Sequence, residues 1–186
     1  YRDLSLDSSS IVQVKDGNII LNASKVEGST YCEEWTILVP RNGDINNAKE
    51  KLERLRKTPC SVQYREAFDT SISVKAYTRV YYQLEDIAGV TYINFLTASG
   101  GYQDGRDHVY VEKQCVRLGE VGIFRGGAGG FSKVYYPTSK TWAFGAPNTW
   151  PKMAQRPPHH VGVNYILTLR RGMSSYTWSM ELTNNV

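Results

Sequence analysis

Residues 71–96, SISVKAYTRVYYQLEDIAGVTYINFL, constrain the fold more than any other stretch of the chain. Ile72, Val74, Ala76, Thr78, Val80, Tyr82 and Leu84 alternate with Ser73, Lys75, Tyr77, Arg79, Tyr81 and Gln83. Successive side chains of a strand point to opposite sides, so this period of two predicts a long strand with one apolar and one polar face. After Glu85 to Gly89 the run Val90 to Leu96 resumes in β-branched and aromatic residues, and the two segments are expected to form an antiparallel hairpin.

Similar patterns recur along the chain. Ile11 to Val14 and Ile19 to Ala23 flank Lys15-Asp16-Gly17-Asn18, where Asp-Gly supplies the positive φ that a two-residue hairpin turn demands. Trp35 to Val39 is a short strand ended by Pro40, and Arg41-Asn42-Gly43 leads out of the sheet. His108 to Leu118 and Phe131 to Tyr136 read as further strands. Val161 to Leu169 and Tyr176 to Thr183 form a second long hairpin around Arg170 to Ser175. Trp142 to Pro158, rich in Pro, Gly and Trp and without a period, reads as a long connection pinned by buried rings.

One helix is expected, over Asp44 to Lys57. Ile45, Ala48, Leu52 and Leu55 share a face, Glu50 and Arg54 as well as Glu53 and Lys57 pair at i,i+4, Asp44 or Asn47 caps it, and Pro59 stops it. The expected fold is therefore all-β: an antiparallel two-sheet sandwich with one helix at about 44–57. Residues 1–186 form a single domain in this reading, with an N-terminal hairpin arm over about 1–30.

The balance of 22 basic against 18 acidic residues, a net charge of +4, is too mild to mark a dedicated nucleic-acid reader. Cys32, Cys60 and Cys115 are an odd, widely spaced set, which suits a reducing compartment; one pair plus a free thiol is the other arrangement. Asn22-Ala23-Ser24 is a formal glycosylation sequon, usable only in a secreted chain. No transmembrane segment is expected, since no apolar run approaches the roughly 20 residues a bilayer span needs, and the polar start Tyr1 to Ser10 does not resemble a signal peptide.

Chemistry-bearing motifs are sparse. Gly126-Gly127-Ala128-Gly129-Gly130 has the look of a phosphate loop but lacks its lysine and its strand-to-helix setting. It reads instead as a flexible inter-strand loop, or as glycines admitting close approach of a neighbouring subunit. His159 and His160 point to opposite faces of a strand, and with the distant His108 they make a poor metal set. Glu33-Glu34 and Glu85-Asp86 are sequence neighbours that do not converge on one substrate, and no nucleophile or zinc motif is present. The expectation is no enzyme, no metal and no cofactor.

Amphipathic aromatic area points to contact instead. Tyr77 and Tyr81 on the polar face of the long strand, Trp142 and Trp150 in the aromatic loop, and Arg170 and Arg171 in the last turn are the candidate interface residues. From about residue 35 onward, the order of short strand (Trp35 to Val39), helix (Asp44 to Lys57), long strands (Ile72 to Leu84, Val90 to Leu96) and closing pair (Val161 to Leu169, Tyr176 to Thr183) resembles the eight-stranded jelly roll of picorna-like virus capsid proteins. It is similar to the small coat protein of comoviruses. That resemblance implies a structural capsid subunit of a small icosahedral RNA virus, assembled with itself and other capsid subunits in the host cytoplasm and residing in the virion. Viral RNA would then be met by basic residues of an inner surface, with Arg65, Lys75 and Arg79 as candidates. Two other readings stay open. One is a glycan-binding lectin using Trp142, Trp150 and Asn148, and the other is a toxin whose hairpin Ser71 to Leu96 enters a membrane.

Overall fold

The structure is a computed structural model that describes residues 10–50, 72–104 and 108–186. Its strands are β1 (Ser10–Lys15), β2 (Asn18–Glu27), β3 (Thr30–Pro40), β4 (Ile72–Ile87), β5 (Val90–Asp104), β6 (Val109–Phe124), β7 (Gly127–Tyr135), β8 (Thr141–Gly145), β9 (Met153–Ala154), β10 (His160–Arg171) and β11 (Thr177–Asn185). All pairings are antiparallel and join into one 11-stranded sheet in the order β1-β2-β3-β4-β5-β9-β6-β10-β11, with β7 hanging on β6 and β8 on β5. The all-β antiparallel expectation holds. β1 to β5 pair in chain order as a meander of hairpins, while later strands pair out of chain order, β6 with β10 and β5 with β8 and β9.

The turns explain the meander. Asp16 and Gly17 sit at φ 51° and 75°, and Ala88 and Gly89 at φ 51° and 78°, the left-handed pairs that match the twist of two-residue hairpins. The break anticipated over Glu85 to Gly89 therefore shrinks to Ala88-Gly89, because Glu85, Asp86 and Ile87 still pair with Tyr92, Thr91 and Val90.

Doubling back of this sheet makes two layers, β1 to β5 with β8 on one side and β7-β6-β10-β11 on the other. Met153 of β9 bridges the layers by pairing with both Ile93 and Phe124. Between them lies the main core, with Ile20, Ile37, Val74, Ala76, Val80 and Phe95 facing Val116, Leu118, Val163, Tyr165, Leu167 and Leu182. Burying such side chains supplies about 1.5–3 kcal/mol each, the dominant favourable term. Asn184 clasps the layers directly, its Nδ2 donating to Glu33 O at 2.8 Å and to Thr78 O at 3.2 Å.

On the outer side of the first layer a second core gathers Ile19, Leu21, Leu38, Ala48 and Ile72, with Ile45 packed against it. The expected helix is present over its described part, 45–50, and Asp44 caps it, Oδ1 accepting from Asn47 N–H at 3.0 Å. Residues 51–57 of that expectation lie outside the described residues, as do Arg65 and Cys60.

Three local expectations are corrected. The face of β4 expected to be wet is closed: Ser73, Lys75 and Arg79 are 0%, 4% and 7% exposed, because this strand is buried on both sides. Gly127–Gly130 is not a loop but the first half of β7, with only Arg125-Gly126 turning between Phe124 and Gly127. Trp142 to Pro158 is not wholly irregular, since it carries β8 and β9.

Candidate interaction surface

The β6–β7 ribbon is where this fold leaves most unfinished. Alternation along β7 places Phe131, Lys133 and Tyr135 on the inner side, opposite Glu120, Leu118 and Val116 of β6. Phe131 stands edge-on to Phe124 at 5.1 Å and tilts against Trp150 at 6.1 Å, and Trp150 in turn meets Phe95 at 6.4 Å. Tyr135 stacks on Phe144 at 3.9 Å, and Phe144 on Trp142 at 5.7 Å. Two rings thus moor an otherwise exposed strand.

Outside those moorings β7 is bare. Every residue from Gly127 to Val134 is exposed, and no second strand pairs with it among the described residues. Its nine rungs to β6, from Val116–Tyr135 to Phe124–Gly127, run without a register shift, so the free edge is straight. Val121, Ile123, Phe131 and Val134 are 56%, 41%, 37% and 39% exposed around it. Natural sheets blunt such edges with proline, bulges or inward charges; β7 has no proline and no bulge, and a single inward charge, Lys133. Of the other outer strands, β1 is bulged between Ile11 and Gln13, while β8 and β11, like β7, pair on one side only.

Beneath the ribbon lies Glu120, 2% exposed beside Phe131 and Val161, its Oε2 without a hydrogen-bond partner. Burial pushes its carboxyl up to about 7. A second polar cluster lies on the outer side of the first layer. Arg79 Nε donates to Glu34 Oε2 at 2.6 Å, and the guanidinium lies 4.9 Å from the Tyr77 ring centroid. Asn22, the sequon residue, spends its amide on Glu33 Oε2 and Glu34 O.

The candidate interface residues are scattered. Tyr77 and Tyr81 are half-buried, Trp142 is 7% exposed, and Trp150 is half-buried against Phe95 and Phe131. Arg170 bridges Glu112 at 2.5 Å and lies over Tyr110, while Arg171 is exposed. For the RNA candidates, Lys75 is buried and Arg79 is committed to Glu34, so neither presents its charge at the surface. Stacking of a sugar on Trp142 would require its removal from the core, and Asn148 is exposed on its own. Cys32 and Cys115 are free thiols, and burial pushes the Cys32 thiol up, which keeps it unreactive. Among the described residues no group of three metal-ligating side chains converges, and no helix is long and apolar enough to cross a membrane.

The sequence marks these glycines only as a point of close approach for a neighbour, not as part of an exposed strand edge. Its signal was there in a different form: a glycine run directly followed by alternating Phe131, Lys133 and Tyr135. Compared with protein families, curated proteins and solved structures, the chain finds no match in any of the three.

Proposed function

We propose that this protein is a structural subunit that works by associating with copies of itself or with companion chains, as a coat subunit does. The observation that carries the reading is the straight, exposed edge of β7, free of proline and bulge, with apolar side chains on the ribbon beside it. Unpaired strand edges recruit another strand, and one left uncovered, straight and carrying a single lysine offers such a contact. Support comes also from the aromatic mooring, which holds the edge rigid so that little order must be gained on association. A virus capsid is the assembly this reading favours, with viral RNA as cargo rather than as a partner of Lys75 or Arg79.

Analytical ultracentrifugation and negative-stain microscopy of the purified chain test it. The expected result is a species larger than the 21.0 kDa monomer, with repeating symmetry in the images. A sharp monomer throughout the micromolar range, both alone and with companion chains encoded beside it, overturns the reading.

A further inference from the structure

We propose that β7 pairs antiparallel with β7 of a second copy about a twofold axis through Phe131, an inference that rests on the assembly reading above. The strand is built of two unlike halves: Gly127, Ala128, Gly129 and Gly130, then Ser132, Lys133, Val134 and Tyr135. Antiparallel self-pairing centred on Phe131 sets Gly127 opposite Tyr135, Ala128 opposite Val134, Gly129 opposite Lys133 and Gly130 opposite Ser132. Phe131 meets its own copy on the axis, every other larger side chain meets a glycine or alanine, and the only charge on the strand, Lys133, meets Gly129 rather than itself. A twofold contact is self-complementary by necessity, and this strand satisfies that condition along its whole length.

Gly129 supplies an independent argument. A Cβ built there meets only Phe124 ring carbons at 3.9 Å, an ordinary contact, so the fold of one copy does not need glycine at this position. Glycine weakens a strand, and its presence where a Cβ would make only ordinary contacts points to a cause outside the subunit. In the pair that cause is the stem of Lys133 from the other copy. The product is a continuous sheet in which β11-β10-β6-β7 of one copy runs into its symmetry mate, with the exposed Val121, Ile123 and Val134 brought alongside the seam.

The double variant Ala128→Cys/Val134→Cys places two thiols opposite two others across the seam. Mild oxidation is expected to yield a covalent dimer on a non-reducing gel, while the wild type and the mis-registered Ala128→Cys/Ser132→Cys do not cross-link. Ala128→Lys/Ser132→Lys, at positions exposed in the single subunit, is expected to abolish the dimer in ultracentrifugation while keeping the far-UV spectrum and melting temperature of a folded chain. Cross-linking absent in the matched pair, with assembly intact in the lysine variant, overturns β7 pairing and leaves the assembly reading standing. A wild type that never associates overturns both.

Discussion

Arg79 Nε and Glu34 Oε2 lie 2.6 Å apart in a site where the two side chains are 8% and 1% exposed, so an ion pair sits inside the layer that the alternation of β4 marks as its polar face. A buried pair contributes little relative to apolar residues of the same shape, yet half of one is severely destabilising because a charge is left without its partner. Glu34→Ala or Arg79→Ala is therefore expected to lower the unfolding free energy by about 3–5 kcal/mol in urea titrations. The joint Glu34→Leu/Arg79→Met exchange is expected to lose far less than the sum of the single changes. Equal losses that simply add would show that the two groups do not act as a pair.

Glu120 gives the fold a dependence on pH near neutrality. Its carboxyl is raised from 4.5 to about 7 by burial, so the folded state prefers the protonated acid. For a raised acid, stability is full below about 4.5, falls as pH climbs through about 7, and is level above that, a total loss of about 3 kcal/mol. Glu120→Gln is expected to flatten this slope between pH 5 and 8 in thermal melts. A slope unchanged by the substitution would assign it to other groups.

Asn184 is the clasp between the layers, donating to the main-chain oxygens of Glu33 and Thr78 from the far end of the chain. Asn184→Ala is expected to cost about 1–3 kcal/mol, since buried carbonyls lose a donor. Hydrogen exchange should then rise first in β11 and in the Glu33 segment of β3, with β6 and β7 little changed.

Gly100 is a glycine of necessity. A Cβ there would lie 2.5 Å from Trp142 Cζ2 and 2.5 Å from Tyr77 O, and the carbonyl cannot withdraw without breaking β4 pairing. Gly100→Ala is expected to destabilise by about 1–3 kcal/mol or more through overpacking, read as a lower melting temperature together with altered near-UV signal from Trp142.

Much of the architecture could be read from the sequence because strands announce themselves by alternation and hairpins by positive-φ residues. Asp16-Gly17 is found where that chemistry demands it. Ala88-Gly89 was blurred into a longer break because Glu85 and Asp86 look like turn residues while still pairing with Tyr92 and Thr91. Period alone does not tell whether the polar side of a strand meets water or a second layer, and Ser73, Lys75 and Arg79 show the difference. The first half of β7 escaped for a related reason: Gly127, Gly129 and Gly130 have no side chains with which to alternate, so their place in the strand is dictated by their pairing to β6. The two residues of β9 are too few to carry any period.

The clasp from Asn184 to Glu33 spans 151 positions of sequence, and this separation bears on biosynthesis. As the ribosome delivers the chain from its amino end, the meander can zip strand by strand, but the greasy side carrying Ile20, Ile37 and Ala76 is covered only by β6 and its neighbours until β10 and β11 emerge. Nascent chains should accordingly be sticky until β10 and β11 have emerged and become protease-resistant only after that, a vulnerability that a chaperone holding the half-built meander would relieve.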